Sequence, residues 1–327
     1  MMSVVESLQT AMQHHREGRV DRAQKIYRDV IRIDPGHADA LHLLGVASHQ
    51  QRNHRAAIDL IRRAICASPR AAAYHCNLGV VYRAMGQSEQ AADCYRQAIR
   101  LDPDYAEAHN NLGHALQSLG CLDDAVDSYE RALELCSDYA DAQLNLGNVK
   151  RDLGQLDETM ARYERAVSLN PHDAETRLSR ALAMLLLGDL ERGFREYEWR
   201  WDADISPYKR LSVPIWDGSH LQGGRLLVLG EQGIGDEIMF ASCIPNCIER
   251  AGHCVVECDS RLVPLLSRSF SSVEFIPRPT NPTDIESLQS IGDVAAQIAI
   301  GSLPRLFRTS PASFPGDESF LTAHPAV

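Results

Sequence analysis

No stretch of the sequence approaches the roughly 20 consecutive apolar residues that a membrane-spanning helix requires. The first residues, Met1 to Glu6, contain neither a basic segment nor a continuous apolar core, so the sequence predicts no secretory signal peptide. Basic residues are fewer than acidic ones: the chain has 33 lysines and arginines and 44 aspartates and glutamates, which gives a formal net charge of −11. Phosphate backbones are bound by basic surfaces, so nucleic acid is not expected as the main partner.

The cysteines lack the pattern of a disulfide framework. There are nine of them, an odd number, and they are scattered through the chain. Free thiols in a reducing compartment are typical of this distribution. The composition, with 44% hydrophobic and 24% charged residues, is that of ordinary globular proteins, so we expect a cytoplasmic protein.

A period of 34 residues organises the first two thirds of the chain. The residue classes of the segment 72–105 return 34 positions earlier and later, and two apolar-periodic segments in each repeat are separated by a short turn that contains glycine. Each repeat is therefore predicted to be a helical hairpin, and the hairpins must stack to bury their apolar faces. The recurring positions include Gly45, Gly79, Gly113 and Gly147, and Tyr27, Tyr95, Tyr129, Tyr163 and Tyr197.

This spacing, with many positions in register, resembles the tetratricopeptide repeat (TPR) family. The resemblance implies an α-solenoid of TPR helical hairpins over residues 1–207, and about six repeats are expected. The sixth is atypical, because Ala181 replaces the repeated glycine and the segment Glu-Tyr-Glu-Trp-Arg-Trp follows at 196–201. Terminal repeats are expected to differ where they meet solvent or another domain. The two tryptophans of that segment fit either contact with a further domain or the core of the last helix.

After the repeats, the sequence pattern changes from helical hairpins to strands that alternate with helices. Residues 208–224 are punctuated by proline and glycine and are predicted to be a connector. Residues 225–327 alternate short apolar strands with helices, which indicates βαβ units and a parallel sheet. The region is too short for a whole doubly wound enzyme, so we expect a partial Rossmann-like α/β domain. Strands are predicted near 225–230, 254–259, 273–276 and 297–300, with a single helix over 236–251 and another over 261–270.

The junction between the first strand and the first helix, residues 229–237, is the expected place for chemistry. Ligands of doubly wound sheets bind at the carboxyl ends of strands, and a helix N-terminus offers N–H groups to anions. The spacing of Gly230, Gly233 and Gly235 is not that of the dinucleotide fingerprint, so a nicotinamide cofactor is not predicted. Two interpretations stay open: the glycines admit a ligand, or they make a tight turn in which Asp236 caps the helix.

The segment 235–245 resembles the Gly-Asp…Pro start of the heptosyltransferase-like GT-B glycosyltransferases. A repeat array followed by this segment is similar to bacterial TPR-containing glycosyltransferases and, in architecture, to protein O-GlcNAc transferases. The resemblance implies that residues 225–327 are the N-terminal half of a GT-B domain, truncated at Val327. It implies that Asp236 removes a proton from the acceptor hydroxyl, that Glu231, Gln232, Gly233 and Gly235 form the substrate loop, that the donor is a nucleotide sugar, and that no cofactor is covalently bound.

Glu231 and Glu237 are alternative general bases in the same loop. A base must reach the proton that it removes, and a carboxylate beside a desolvated acceptor has its pKa raised toward the working pH. Glu237 is one residue further along the helix and would point about 100° away from Asp236. Asp236 is therefore the preferred base.

Two pairs of cysteines in the C-terminal region supply the four thiols of a possible zinc site. Cys243 and Cys247 are predicted on a helix, and Cys254 and Cys258 on a strand. Four residues of strand span roughly 13 Å, too far for one ion with Zn–S bonds of about 2.3 Å. Buried thiols are therefore expected, and no metal site is predicted.

Asn77, Asn111 and Asn145 recur at one position of the first helix of successive repeats. In TPR arrays this helix lines the concave face, and stacked carboxamides offer donors and acceptors to an extended peptide. In O-GlcNAc transferases a similar ladder holds the substrate peptide, although asparagine is common at this position in TPR repeats generally. We therefore expect a protein or peptide ligand in this groove.

Two classes of function stay open. In the first, the repeats recruit a protein acceptor for sugar transfer by the GT-B-like half. In the second, the chain is a non-enzymatic TPR adaptor that mediates protein–protein interaction.

Overall fold

A computed structural model describes residues 3–203, 212–231, 233–279, 291–316 and 319–323. The chain divides into two compact units, Met1–Leu169 and Asn170–Val327. The hairpin predicted as the sixth repeat follows residue 170 and lies in the second unit. None of the helices within the described ranges is both long and apolar enough to cross a bilayer.

The first unit consists of five helical hairpins, as the period predicts. In each hairpin the two helices pack on each other, and the second helix also packs on the first helix of the next hairpin. The first helices of the second to fifth hairpins touch one another as well. The ten helices are α1 Val4–Arg16, α2 Val20–Ile33, α3 Ala38–Gln50, α4 His54–Ala67, α5 Ala72–Ala84, α6 Ser88–Leu101, α7 Ala106–Ser118, α8 Leu122–Leu135, α9 Ala140–Asp152 and α10 Leu156–Leu169.

The repeated glycine and tyrosine explain how the third, fourth and fifth hairpins close. A Cβ atom added at Gly79 would lie 2.6 Å from the ring of Tyr95, and one at Gly113 would lie 2.7 Å from the ring of Tyr129. Both rings are fully buried. The absent side chain therefore lets the ring lie directly on the backbone of the first helix, which is the close approach that only glycine permits.

A left-handed residue ends the first helix of each hairpin. Glycine occupies this turn in most hairpins because it adopts a positive φ without steric cost. In the second hairpin Arg52 takes the position with φ of 61°, a conformation that a side chain disfavours. The glycines with positive φ at this position are Gly18, Gly86, Gly120, Gly154 and, in the second unit, Gly188.

The second unit begins with a helical hairpin and continues into a parallel sheet. Helices α11 Ala174–Leu186 and α12 Leu190–Glu196 are followed by a 3-10 helix, Tyr197–Trp201. The strands are β1 Arg225–Leu229, β2 His253–Cys258, β3 Glu274–Pro277 and β4 Val294–Ala299. The helices between and after them are α13 Ile234–Ala241, α14 Ile244–Ala251, α15 Val263–Ser269 and α16 Pro304–Phe307.

The four strands within the described ranges are all parallel and lie in the order β3-β2-β1-β4. Leu227 of β1 stands opposite Val255 of β2 and Gln297 of β4. The order changes direction at β1, so the loops that follow β1 and β4 meet at one edge of the sheet. This is the topological switch point, where ligands of open α/β sheets usually bind.

The sequence predicted a single helix over 236–251, and this prediction is wrong because the structure has two helices there. Helix α13 ends at Ala241, and α14 starts at Ile244 with Pro245 in its first turn. Proline has no N–H to continue the hydrogen bonds of a preceding helix, whereas it fits the first turn of a new one. The chain therefore changes direction between the two helices.

The hairpin α11–α12 shares its core with the sheet. Leu178 of α11 and Phe194 of α12 belong to the same buried apolar cluster as Leu226 of β1. Trp216, in the segment predicted as a connector, is also in this cluster, and its backbone N–H donates to the carbonyl of Gln297 in β4 at 2.8 Å. The first part of the predicted connector, residues 208–211, lies outside the described residues, as do residues 204–207 before it.

Candidate functional site

The three repeated asparagines bond to the preceding repeat. Asn77 Nδ2 lies 2.8 Å from Nε2 of His42, and Asn145 Nδ2 donates to Oδ1 of Asn110 at 3.1 Å. Asn111 Nδ2 contacts the sulfur of Cys76 at 3.8 Å. Each partner stands 35 positions earlier, on the first helix of the previous hairpin. The carboxamides are thus held in fixed orientations by a chain of bonds that runs from helix to helix.

These bonds leave one acceptor on each carboxamide. Within the described part of the first unit, the Oδ1 atoms of the three asparagines have no hydrogen-bond partner. Asn111 is only 7% exposed, whereas Asn77 and Asn145 are half-buried. The first and last members of the predicted ladder are therefore the ones within reach of a ligand.

His42 is held neutral beside Asn77. Its ring stacks on Tyr74 with centroids 4.4 Å apart, and the side chain is 9% exposed. Burial lowers the pKa of His42 to about 4, although the nearby Asp39 carboxylate acts in the opposite direction. A neutral imidazole has one ring nitrogen that accepts a hydrogen bond. Nε2 of His42 is therefore the acceptor for the amide of Asn77.

A second polar cluster lies in the third and fourth hairpins, and no feature of the period pointed to it. Oη of Tyr95 and Nδ1 of His114 are both buried and lack a hydrogen-bond partner among the described residues. The pKa of His114 is lowered by burial and, further, by the positive charge of Arg83. Arg83 is half-buried on α5 and forms no ion pair with any described residue. This guanidinium group is therefore free to meet an incoming anion.

In the second unit, Glu231 fills the switch point of the sheet. Its side chain is fully buried after β1, and Oε1 accepts a hydrogen bond from the N–H of Gly301, after β4, at 2.9 Å. A Cβ atom at Gly301 would lie 2.5 Å from the same oxygen. The edge at which ligands usually enter such sheets is thus occupied by a side chain of the protein.

The partner of Glu231 is Arg200, which the sequence analysis did not single out. Two hydrogen bonds join them, from Nε at 3.0 Å and from Nη2 at 2.7 Å. Arg200 also donates to Ser302 Oγ at 2.7 Å and to Glu198 Oε1 at 2.8 Å. Its guanidinium lies 4.6 Å from the centre of the Trp201 ring. The Trp-Arg-Trp run in the sequence is the signal that marks this anchor.

Glu237 is also committed to structure. It is fully buried, forms an ion pair with Arg278, and accepts a hydrogen bond from the N–H of Asp259 at 2.8 Å. Gly230 lies against the same group, because a Cβ atom there would stand 2.8 Å from Oε1 of Glu237. The carboxylates of both alternative bases of the loop are therefore already bonded to other groups of the second unit.

Asp236 is the carboxylate of the loop that faces open space. It lies in the first turn of α13 and accepts a hydrogen bond from the N–H of Gly233 at 3.3 Å, which is the capping arrangement. It also borders a cavity of about 310 Å³ with mostly apolar walls, among them Leu185, Met239 and Phe240. A Cβ atom at Gly235 would meet nothing within 4 Å, and Gln232 lies outside the described residues.

The four cysteines of the second unit are buried in its core. Burial raises the pKa of Cys243 and Cys254 to about 11 and that of Cys258 to about 12. Cys247 is raised well above its ordinary value for the same reason. Within the described ranges, no three His, Cys, Asp or Glu side chains are grouped so as to hold a metal ion. The thiols are packing groups in this structure.

Comparison with protein families identifies the repeats. Models described as tetratricopeptide repeat match residues 9–74 and 144–207 in one case and 104–170 in another. A further model, described as TPR repeat, matches residues 81–120.

Protein FlbA of Caulobacter vibrioides is similar to this chain at 32% identity over 148 residues. The match covers 41% of this chain and 24% of FlbA, so the chain spans about a quarter of that relative. Among solved structures, that of Pseudomonas aeruginosa pilF has a TM-score of 0.57 at 18% identity and covers 62% of this chain and 92% of that one. The type IV pilus biogenesis factor PilW has a TM-score of 0.57 at 19% identity, with 63% and 95% covered. At these identities the likeness is one of fold.

Proposed function

We propose that this chain, whose helical hairpins are tetratricopeptide repeats, is an adaptor that binds an extended segment of a partner protein along the first helices of its hairpins. The observation that carries the proposal is the pair of oriented carboxamides at Asn77 and Asn145, each bonded to the previous repeat and each with a free Oδ1. An extended chain presents backbone N–H groups that such oxygens accept.

The bonds between repeats make this face ready for a ligand. A side chain that is already held in one orientation loses little conformational freedom when it binds, and this freedom otherwise costs about 0.5–1.5 kcal/mol per side chain. Arg83, which has no ion pair among the described residues, adds a positive charge on α5. The partner segment is therefore expected to be extended and to carry an acidic group near this charge.

The test starts from peptides selected from a random displayed library on the 327-residue chain. Calorimetry then compares the wild-type chain with the double variant Asn77→Ala/Asn145→Ala, which we expect to bind about tenfold more weakly. Asn111 is left unchanged because it is buried. The matched control is Gln90→Ala/Gln97→Ala on the second helix of the third hairpin. Equal affinity of the wild type and the asparagine variant would refute the proposed groove.

A second candidate function is sugar transfer, with Asp236 as the general base. The specific observation in its favour is that Asp236, in the first turn of the helix after β1, borders a cavity, while Glu231 and Glu237 are held by Arg200 and Arg278. In this proposal the Asp236 carboxylate takes the proton of an acceptor hydroxyl while the hydroxyl oxygen attacks the anomeric carbon of a nucleotide sugar. The nucleoside diphosphate leaves with the electrons of the broken bond.

The assay for this second function follows transfer from a panel of nucleotide sugars to library-selected peptides that contain serine or threonine. Asp236→Asn keeps the shape of the side chain and should lower the rate by a factor of about 10² or more. Asp217→Asn, also near a turn but away from the cavity, is the matched control. Transfer at the wild-type rate by Asp236→Asn would remove Asp236 from this role, and no transfer by the wild type would leave the adaptor function alone.

A further inference from the structure

Four arginines surround an open cavity between the two helices of the hairpin α11–α12. Arg177 and Arg180 are three residues apart on α11, and Arg192 and Arg195 are three apart on α12. Residues at this spacing lie on one face of a helix. With Glu196, these four side chains line a cavity of about 280 Å³. The concentration of positive charge is unexpected in a chain with a net charge of −11.

The carboxylate of Glu196 neutralises only part of this charge. Arg180 donates to it through Nε at 2.8 Å and through Nη2, and Arg177 donates through Nη1 at 3.2 Å. Both oxygens of Glu196 are thus occupied by the arginines of α11. Of the residues that line the cavity, four carry a positive charge and one a negative charge. Asp189 and Glu191 do not line it but pair with Arg192 and Arg195, so the whole group has an excess of one positive charge, which rises to three when these two carboxylates are displaced.

The two arginines of α11 are held in place before any ligand arrives. The guanidinium of Arg177 lies over the ring of Trp199, 4.4 Å from its centre, and its Nε donates to the carbonyl of Pro171 at 2.6 Å. The side chains of Arg180 and Glu196 are 17% and 10% exposed. Nη2 of Arg177 and Nη1 of Arg180 have no acceptor within the described residues, so each group keeps N–H donors for an anion.

The two arginines of α12 are held more loosely. Arg192 pairs with Asp189 at 3.2 Å, and Arg195 pairs with Glu191 at 2.8 Å. The side chains of both arginines are more than half exposed, and exposed pairs between neighbours on a helix are weak. A better anion in the cavity therefore displaces these carboxylates easily.

We propose that this cavity is a binding site for a small molecule that carries a diphosphate group. Arginine presents its N–H donors as a planar fork that matches two oxygens of one phosphate. Two linked phosphates carry about three negative charges at neutral pH, which equals the positive charge of the cavity lining once Asp189 and Glu191 are displaced. A single carboxylate offers at most one charge and two oxygens, so it leaves most of the donors unused. The site is separate from Asp236, and it stands whether or not the chain transfers sugar.

The test uses inorganic pyrophosphate as the probe, with calorimetry on the full chain at constant ionic strength. Pyrophosphate should bind at least tenfold more tightly than inorganic phosphate or sulfate. The double variant Arg192→Gln/Arg195→Gln removes exposed side chains and should weaken pyrophosphate binding at least tenfold. The control Arg96→Gln/Arg100→Gln removes two charges from exposed positions on α6 and should change the affinity less than twofold.

A further variant separates geometry from charge. Arg180→Lys keeps the positive charge but removes the planar fork, so we expect at least a fivefold loss of pyrophosphate affinity with an unchanged circular dichroism spectrum. Equal weakening by both glutamine double variants would show a diffuse charge effect and overturn the proposal. The proposal also fails if sulfate binds as tightly as pyrophosphate, or if a phosphopeptide or anionic vesicles bind through these arginines while pyrophosphate does not.

Discussion

Arg200 and Glu231 form a buried ion pair through two parallel hydrogen bonds, Nε to Oε2 at 3.0 Å and Nη2 to Oε1 at 2.7 Å. Their side chains are 1% and 0% exposed. The pair joins the 3-10 helix that follows α12 to the loop that follows β1. Glu231, which was predicted to belong to the substrate loop, therefore anchors the 3-10 helix to the sheet.

Removal of one partner of this pair should destabilise the second unit strongly. Arg200→Met leaves the Glu231 carboxylate buried without its cation, and we expect a loss of about 3–5 kcal/mol in the free energy of unfolding. Urea unfolding followed by tryptophan fluorescence measures this unit selectively, because the three tryptophans, Trp199, Trp201 and Trp216, all lie in it. The control is Arg195→Met, whose side chain is 72% exposed and which should cost less than about 1 kcal/mol.

The double variant Arg200→Met/Glu231→Met should be more stable than Arg200→Met alone, since no uncompensated charge is then buried. Simple addition of the two single losses would mean that the two side chains do not interact, contrary to the geometry.

Gly113→Ala should destabilise the repeat array. The new Cβ would lie 2.7 Å from the ring of Tyr129, which is fully buried and has no room to retreat. We expect a loss of about 1–3 kcal/mol, measured by urea unfolding followed by far-ultraviolet circular dichroism. Gly235→Ala is the control, because a Cβ there meets nothing within 4 Å and alanine favours the helix. Equal stability of Gly113→Ala and the wild type would contradict the packing argument.

Acid should weaken the first unit through His42. Burial lowers the pKa of this imidazole to about 4 in the folded chain, whereas the unfolded value is near 6.5. Between these values the unfolded chain binds the proton and the folded chain does not, so stability falls as the pH falls from about 6.5 to 4. The contribution of His42 to this fall is at most about 3 kcal/mol.

His42→Asn tests this contribution, because Asn110 occupies the equivalent position two repeats later and accepts from Asn145. The variant should keep the bond to Asn77 and lose that part of the pH dependence. His49 and His114, whose pKa values are also lowered by burial, remain in both proteins and cancel in the comparison. Identical pH profiles of unfolding for the variant and the wild type would refute the assignment.

Thiol reactivity should separate the nine cysteines into two groups. Cys66, Cys121 and Cys136 are exposed, whereas the four cysteines of the second unit and Cys76 are buried. Burial raises the pKa of Cys76 and of the half-buried Cys94 to about 11, which keeps them protonated at pH 8. An aromatic disulfide reagent should therefore react rapidly with three thiols per native chain and with all nine in urea. Rapid reaction of a fourth thiol that lies in the second unit would show that the core of this unit opens.

The repeats were predictable because their signals are local and recur. Gly79 and Tyr95 are 16 residues apart, and the same pair returns in the fourth and fifth hairpins, so contact and position follow from the period. The parallel sheet was also predictable, since apolar strands such as 225–229 alternate with helices. Pro245 was visible in the sequence, and its helix-breaking effect between α13 and α14 follows from its missing N–H.

The partners of the loop carboxylates were not predictable in this way. Glu231 meets Arg200 from 31 positions earlier, and Glu237 meets Arg278 from 41 positions later, with no repeat to fix either pairing. The asparagine ladder shows the same limit of prediction from sequence. Recurrence identified Asn111, but its burial depends on how α5 and α7 pack, and Cys76 occupies the space beside it.

The shared core of α11, α12 and the sheet sets where the chain can be shortened or extended. Leu178 and Phe194 are packed with Leu226, and Arg200 is bonded to Glu231, so the last hairpin is inseparable from the sheet even though its sequence resembles a repeat. A whole 34-residue repeat added or deleted between α4 and α9 leaves every one of these contacts unchanged. Variants with one repeat more or fewer should therefore keep the second unit intact, and domain grafts should cut near residue 170.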